Sequence, residues 1–462
     1  MIFMAKITLA SSNPLIIGKY GKHGNYESLG IRYLASVLDN EGHDICMIDD
    51  FSGDIEARTL EAKADIYGIS CFTYQWPFYS KLINKLRNTH PSSKIVLGGY
   101  HPSSAIREVI QHPNVDVVVY GEGEETFKEL VPELVGGKSL AKIKGIAYKS
   151  SGEIRINPPR ERISDIDSIP WPIRDQEGIN NSKSYGLCYP STEDQISATV
   201  LYSRGCPHAC DFCSSPNIWQ RKIKWRNPKD VANEIRFLKN DFGVNHLYLA
   251  DLFFNLSSKK VRSLCEEIKD IDINWFPMVG VTPDLDSYKI MAEAGCSRIG
   301  IGVESLDEKT RERIGKSNWT NFEQNLKAAW DSGIIVRLYL MGGYPWDTRE
   351  SLDSFSDTLK KLPVDDFKIS FYTPFPGTPA HEKYKDFITT DDLTKFNTVF
   401  DPVVKPSSLS LEEIKEWRGK VFRDFYNSPE YERRRDEKIR RWPHLKKSYE
   451  SHFSSMRERG TI

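Results

Sequence analysis

Residues 204–216, with the sequence RGCPHACDFCSSP, decide how this chain of 462 residues is interpreted. Their cysteines, Cys206, Cys210 and Cys213, follow a C-x3-C-x2-C spacing. Three thiolates so close in sequence can hold three irons of a cubane [4Fe-4S] cluster, because soft sulfur ligands suit iron–sulfur chemistry. The fourth iron then has no cysteine from this segment and can bind a small molecule. The alternatives are a zinc site, usually built from two C-x2-C pairs, and buried structural cysteines.

This spacing resembles the signature of the radical S-adenosylmethionine (radical SAM) superfamily. Phe212 fits the aromatic residue that the family places before its last cysteine, and residues 197–204 (SATVLYSR) read as the strand that precedes the loop. The resemblance implies that the open iron chelates the amino and carboxylate groups of S-adenosylmethionine (SAM). It also implies reductive cleavage of SAM to a 5′-deoxyadenosyl radical, with electrons from an external donor of the flavodoxin or ferredoxin type.

The composition is that of a soluble globular protein, with 39% hydrophobic and 27% charged residues. The net charge of -1 does not indicate nucleic acid or an anionic membrane as a partner. The chain contains no apolar run of about 18 residues, and its start lacks the layout of a signal peptide. The cysteines outside the triad are scattered, which predicts a reduced, cytoplasmic environment rather than a disulfide scaffold. These are Cys46, Cys71, Cys188, Cys265 and Cys296.

Two α/β halves follow each other along the chain. In the first, five short apolar strands alternate with helix-length segments, which predicts a doubly wound, Rossmann-like parallel sheet. We place this domain at residues 1–150 and a Pro-rich linker at residues 151–195. Six further strand–helix units match the partial (β/α)6 barrel of radical SAM enzymes and are assigned to residues 196–400. Residues 401–462 read as a charged helical region.

The first half resembles the cobalamin-binding domain that is fused in front of many radical SAM enzymes. Ser70 follows the third strand, Gly98-Gly99 the fourth, and GEGEET (residues 121–126) the fifth. These are carboxyl ends of parallel strands, where an open α/β sheet binds its ligand. Glycines let the backbone approach the dimethylbenzimidazole tail of cobalamin, and a serine hydroxyl can hydrogen-bond it. The predicted cobalamin site comprises Ser70, Gly98, Gly99, Tyr100, His101, Gly121, Gly123 and Glu124.

An ordinary flavodoxin-like regulatory or nucleotide-binding domain is the alternative for this half. The chain lacks the D-x-H-x-x-G motif, which supplies a cobalt-ligating histidine in cobalamin-dependent methionine synthase. The loop after the first strand contains His23, but no aspartate stands two residues before it. Radical SAM members of the cobalamin group commonly lack this motif, so its absence is compatible with the resemblance.

The same resemblance assigns barrel residues to SAM. LADLFFN places Asp251 at the barrel mouth, and RIGIGVES places Glu304 and Ser305 at the end of the fourth strand. A carboxylate there suits the SAM ammonium and ribose hydroxyls, which are donors. Arg337 is expected to face inward and meet the SAM carboxylate. Surface loops or barrel packing are the alternatives for each position. The predicted SAM site comprises Phe212, Asp251, Glu304, Ser305, Arg337, Gly342, Gly343 and Pro376.

A cobalamin domain in front of a radical SAM barrel implies methylation of an unactivated carbon in a small-molecule or peptide substrate. The two domains can enclose that substrate and exclude water from a radical. The alternatives are oxidative cyclisation or ring rearrangement without methyl transfer, and a cobalamin or redox sensor. The basic residues 431–447 (YERRRDEKIRRWPHLKK) are more typical of an exposed charged helix than of an RNA-binding segment, so we expect no nucleic-acid partner.

Overall fold

The computed structural model describes residues 4–12, 27–50, 54–181, 195–316 and 320–458. Within them the strands form two large sheets and one short two-stranded ribbon. The strands are β1 (Lys6–Ser12), β2 (Asp44–Asp50), β3 (Ile66–Ser70), β4 (Lys94–Gly98), β5 (Val117–Val119), β6 (Ile146–Ser150), β7 (Glu153–Ile156), β8 (Ser197–Val200), β9 (Ser203–Arg204), β10 (Lys224–Trp225), β11 (His246–Leu249), β12 (Asn274–Val279), β13 (Arg298–Glu304), β14 (Ile335–Gly342) and β15 (Asp366–Phe371).

Helices connect the strands and cover the sheets. None of those in the described ranges is long and apolar enough to cross a membrane. They are α1 (Leu29–Asn40), α2 (Ile55–Glu61), α3 (Trp76–Thr89), α4 (Tyr100–Ser104), α5 (Ile106–Gln111), α6 (Glu124–Val135), α7 (Gln176–Asn181), α8 (Ser215–Trp219), α9 (Pro228–Phe242), α10 (Ser258–Ile268), α11 (Asp286–Glu293), α12 (Glu308–Arg313), α13 (Phe322–Asp331), α14 (Arg349–Lys361), α15 (Pro379–Lys383), α16 (Leu411–Tyr426), α17 (Pro429–Arg441) and α18 (Lys446–Glu458).

The N-terminal sheet has the order β2-β1-β3-β4-β5-β6-β7 in the described residues. Strands β1 to β5 are parallel, and the β6–β7 hairpin extends the sheet in antiparallel fashion. In β4, Ile95 and Leu97 enter the hydrophobic core on one face, and Val96 enters the core on the other. Because both faces of a central strand are buried, its residues form one continuous apolar run. The predicted doubly wound domain is confirmed.

The second sheet has the order β15-β14-β13-β12-β11-β8, and all its pairs are parallel. Strands β8 and β15 are its two edges in the described residues, so the barrel is partial, as predicted. Parallel strands place all their carboxyl ends on one side of the sheet. Residues 205–214, which contain the three cysteines, therefore leave from that side, because they follow β8 and the short β9.

The C-terminal helices are less exposed than the sequence predicts. Lys438 of α17 is fully buried, and its Nζ binds the carboxylate of Asp365 at 2.6 Å. Arg434, one turn earlier, donates to the carbonyls of Val364 and Lys360. The expectation of a solvated charged helix is wrong for these positions, because their cations satisfy polar groups at the end of α14 and just before β15.

Buried ion pairs join the two domains. Glu122, which follows β5, binds Arg162 of the connecting segment, and both side chains are 3% exposed. Arg162 also donates to the carbonyl of Trp219 at 2.8 Å. Arg204, at the end of β9, binds Glu124 at 2.7 Å. A buried charge that loses its partner is costly, so these pairs oblige the domains to keep one relative position.

We predict that Glu122→Ala lowers the free energy of unfolding by about 3 kcal/mol, because it leaves Arg162 buried without its carboxylate. The matched control is Glu129→Ala, which removes a carboxylate that is 49% exposed from its pair with Arg160. That change should cost less than about 1 kcal/mol. Urea unfolding of both variants measures the difference. Equal stabilities of the two variants would contradict this account of the domain interface.

Candidate active site between the domains

The cysteine loop is fixed by backbone contacts with two barrel segments. The Asp211 N–H donates to the carbonyl of Ile314 at 3.0 Å, and the Ala380 N–H donates to the carbonyl of Asp211 at 3.0 Å. Gly205 has a φ of +101°, and a Cβ there would lie 2.1 Å from the Lys222 carbonyl oxygen. Only glycine can therefore begin this loop. The loop thus has one defined conformation before any cofactor is considered.

The three thiols of this loop are partly exposed and lie within electrostatic range of one another. Burial raises the pKa of the Cys210 thiol to about 12, the Lys316 ammonium opposes the rise, and Cys213 adds to it. Metal binding would reverse this shift, because a nearby cation favours the thiolate form. Three soft sulfur donors on one short, partly exposed loop suit the irons of a cluster.

Glu304 and Lys316 form an ion pair beside the cysteines, with 2.6 Å between Oε1 and Nζ. Strand β13 shifts its register between Gly302 and Glu304, and Glu304 has a φ of +66°. A non-glycine residue in this conformation costs about 1–3 kcal/mol, and such strain often accompanies a functional site. The structure therefore places the predicted Glu304 next to the cysteine loop. It adds Lys316, which the sequence analysis missed because no motif surrounds it.

Two other predicted SAM residues lie near this loop. The Phe212 ring packs edge-on against the Tyr372 ring, with 6.5 Å between centroids. Pro376 is in the loop after β15, and the next residue, Gly377, accepts a hydrogen bond from the Asn217 side chain at 3.1 Å. Asn217 also donates to Ser104 of the N-terminal domain at 2.9 Å. The Pro376 loop thus closes against both the cysteine segment and the first domain.

A cavity of about 620 Å³ lies between the domains. Strand ends of the N-terminal sheet form one wall, and residues of β8, β11 and β15 or their ends form the other. Gly121 has a φ of +83°, and a Cβ there would meet no heavy atom within 4 Å, so this strand end faces open space. Seven of the eight predicted cobalamin residues line the cavity: Ser70, Gly98, Gly99, Tyr100, Gly121, Gly123 and Glu124.

His101 does not belong to this wall, and its prediction as a cobalamin residue is corrected. Its side chain is fully buried beside Trp76, with ring centroids 5.6 Å apart. Burial lowers the pKa of His101 to about 4, so the ring is neutral. Residue 101 is on α4, which turns it towards α3 and away from the cavity.

Tyr100 connects the cavity to the cysteine loop. Its hydroxyl accepts a hydrogen bond from the Trp219 indole at 3.3 Å. Burial raises the pKa of Tyr100, and the nearby Cys213 adds to the rise while the hydrogen bond with Trp219 opposes it. The first residue of α4 thus lies within electrostatic range of a predicted cluster ligand. The two predicted cofactor sites are neighbours.

Two predicted SAM residues are placed elsewhere. Arg337 is near the start of β14 and pairs with Asp366, the first residue of β15, so it lies at the end of the barrel opposite the cysteine loop. Asp251 is 1% exposed and accepts hydrogen bonds from the Tyr202 N–H and the Ser203 hydroxyl. Its burial raises the pKa of the carboxyl to about 6. Both expectations are corrected. Arg337 forms an ion pair at the amino-terminal end of the barrel strands. Asp251 fixes the position of β9, which precedes the cysteine loop.

The remaining predicted residues lie around a second cavity of about 220 Å³ on the outer side of β13 and β14. Ser305 and Gly342 line it together with Trp417 of α16. A Cβ on Gly342 would lie 2.3 Å from the Trp417 ring, so this glycine serves helix packing. The Gly343 N–H donates to Asp347 at 2.8 Å. Ser305 and Gly342 are therefore separated from the interdomain cavity. His23 and Cys188 lie outside the described residues.

Comparison with known proteins agrees with this arrangement. The model of the B12 binding domain matches residues 22–131, and that of the Radical SAM superfamily matches residues 200–359. An uncharacterized methyltransferase of Pyrococcus horikoshii is 31% identical over 87% of this chain and 88% of its own length. The chain belongs to the cobalamin-dependent radical SAM enzymes. The predicted family, fold and cofactors are confirmed.

Other relatives of this radical SAM enzyme differ in their named activities. An anaerobic magnesium-protoporphyrin IX monomethyl ester cyclase of Rubrivivax gelatinosus is 27% identical over 87% of this chain and 74% of its own length. Among solved structures, the methyltransferase TsrM of Kitasatospora setae, with cobalamin and a [4Fe-4S] cluster bound, is similar at a TM-score of 0.68 and 17% identity. That match covers 92% of this chain and 85% of TsrM, and it shows the shared fold.

We predict that cluster assembly depends on the triad alone. Cys206→Ala, Cys210→Ala or Cys213→Ala should abolish the roughly four irons per chain found after anaerobic reconstitution, and with them SAM cleavage. Cys265→Ala is the matched control, because Cys265 is a buried core residue of α10. Iron analysis and release of 5′-deoxyadenosine measure the outcome. A triad variant that still cleaves SAM would remove the assignment.

We also predict that Gly121→Val weakens cobalamin binding about tenfold, because the added side chain fills space at the strand end. Gly152→Val is the control. Gly152 has a similar φ of +80° and an equally open surrounding but lies in the β6–β7 turn. Absorbance titration with hydroxocobalamin separates the two variants. If both bind cobalamin like the unaltered enzyme, the cavity is not the cobalamin site.

Proposed function

We propose that this enzyme transfers a methyl group from SAM to an unactivated carbon of a small-molecule or peptide substrate. The supporting observation is the cavity between the domains, in which strand ends of the cobalamin domain face the barrel and Tyr100 binds Trp219, which follows the cysteine loop. Methyl transfer to such a carbon needs both a radical generator and a methyl donor beside one substrate. We infer that both cofactors act on a substrate in this space.

The chain's own residues would hold and separate the two cofactors. When bound, the cluster supplies the electron that cleaves SAM, and cobalamin supplies a methyl carrier. Cys206, Cys210 and Cys213 would bind the irons, and the Glu304 carboxylate beside them could accept hydrogen bonds from SAM. The glycine-lined strand ends would let the cobalamin tail approach the backbone.

The protein also protects the reaction from water. Leu201, Ala250 and Val399 give the barrel side of the cavity an apolar wall. The loop around Pro376 joins the first domain through Asn217, which closes one side of the cysteine loop. Excluding water and stray hydrogen donors keeps a carbon radical available for the intended partner.

A ring cyclisation without methyl transfer is the second candidate. It is supported by the likeness to the Rubrivivax gelatinosus enzyme, which is named as a cyclase and covers 87% of this chain. Both reactions begin with SAM cleavage, so they use the same cysteine loop. They differ in whether the methyl group of SAM reaches the product.

The compartment and the partners of the enzyme follow from the cluster that its reaction requires. An oxygen-sensitive cluster suits a reduced compartment, so we place the enzyme in the cytoplasm. An external donor of the flavodoxin or ferredoxin type would provide the electron. We include no nucleic-acid partner, because the basic residues of α17 include Lys438 and Arg434, which are engaged with barrel groups.

The proposal predicts a product balance. Each turnover should release S-adenosylhomocysteine and 5′-deoxyadenosine in similar amounts, because one SAM donates the methyl group and another generates the radical. With SAM labelled in its methyl group, the product mass should rise by one labelled methyl. Mass spectrometry of products from reconstituted enzyme checks this. Substrate-dependent 5′-deoxyadenosine without S-adenosylhomocysteine would exclude methyl transfer and favour cyclisation.

A further inference from the structure

The interdomain cavity reaches into the side of the partial barrel. Beyond the cobalamin wall it is lined by Tyr248 of β11 and Lys368 of β15, and β15 is an edge strand of the sheet. Neither residue belongs to the motifs of the cluster or of cobalamin. This part of the cavity therefore lies apart from the predicted cofactor residues.

Lys368 faces this space because successive side chains of β15 alternate between the two faces of the sheet. Its neighbours Phe367 and Ile369 are 3% exposed and belong to the core between the barrel and its outer helices. The Phe367 ring stacks on the Phe422 ring of α16, with 4.7 Å between centroids. Successive side chains of a strand point to opposite faces, so Lys368 points into the barrel.

The other charges of the cavity wall are already neutralised. In the described residues, six charged side chains line it, and ion pairs engage all of them except Lys368. Glu27 pairs with Arg174, Asp49 with Arg32, Glu122 with Arg162, and Glu124 with Arg204. Within the described part of the chain, no carboxylate lies within ion-pairing distance of the half-buried Lys368 ammonium.

The surroundings of Lys368 are apolar and aromatic. The Tyr248 ring stacks on the Phe276 ring, with centroids 5.3 Å apart and planes at 29°. Val399 is held beside β15, since the Phe371 N–H donates to the carbonyl of Thr398 at 2.7 Å. An anion that reaches this unpaired cation gains a charge-assisted hydrogen bond, and an apolar body beside it can pack on the cavity wall.

We infer that Lys368 is the substrate-binding cation of this enzyme, and that the substrate has an apolar or aromatic body with a carboxylate or phosphate group. The body would pack against Tyr248, and the oxyanion would bind the Lys368 ammonium. That this ligand is the substrate rests on the proposed function. The binding site itself does not depend on which reaction follows.

Three probes with one ring system test the inference: 2-naphthoate, 2-naphthyl phosphate and the neutral 2-naphthylmethanol. Calorimetric titration uses the enzyme loaded with cluster, cobalamin and SAM. The unaltered enzyme should bind at least one anion about tenfold or more tightly than the alcohol. Lys368→Met should lose this preference and keep its affinity for the alcohol, whereas Lys368→Arg should retain it. The tighter anion identifies the group that the site prefers.

Lys259→Met is the matched control, because Lys259 is exposed on helix α10 of the same barrel. It should bind all probes like the unaltered enzyme. Three results would overturn the inference: equal affinity of the unaltered enzyme for anions and alcohol, a preference that survives in Lys368→Met, or loss of SAM or cobalamin from that variant. These titrations measure binding without turnover. The affinities would therefore be the same even if the enzyme proved not to transfer a methyl group.

Discussion

The buried pair between Arg204 and Glu124 connects the two halves of this enzyme at its active site. Arg204 ends the strand that leads into the cysteine loop, and Glu124 begins the helix after the fifth strand of the cobalamin domain. The Arg204 guanidinium also lies over the Tyr33 ring, 4.5 Å from its centroid. Because neither charge can be exposed to water without moving a domain, the cluster loop and the cobalamin wall hold one relative position.

This constraint also brings the cysteine loop close to the cavity between the domains. Parallel strands present their carboxyl ends on one side of each sheet, and the interdomain pairs bring those two sides together. Tyr100 then comes within electrostatic range of Cys213. The left-handed backbone at Glu304 turns a carboxylate to Lys316 beside the same loop. The closeness of the cysteine loop to the cavity wall is thus a property of the protein itself.

The sequence predicts features that depend on neighbouring residues and misses those that depend on distant partners. The cysteine spacing and the glycines after β4 and β5 are local, and they led to the correct family, fold and cavity wall. The orientation of the Arg337 side chain depends on its ion pair with Asp366, and the orientation of Asp251 depends on its hydrogen bond with Ser203. Their roles therefore could not be predicted from their own segments.

Lys368 was overlooked for a different reason. In DFKISF, the alternation of apolar residues around Lys368 already indicates a side chain that points away from the core. What the sequence could not provide was the pairing of every other charge at the cavity wall. That information comes from ion pairs such as Glu27–Arg174 and Glu124–Arg204, whose members are far apart in the chain.

The central claim is that cobalamin in this cavity and the cluster on the cysteine loop lie side by side between the domains. Electron paramagnetic resonance of enzyme that holds both Co(II) cobalamin and the reduced cluster tests it most directly. Two paramagnetic centres that lie side by side should broaden each other's signals, and the broadening should disappear in the Cys210→Ala variant. Two unbroadened signals from enzyme containing both centres would contradict the account.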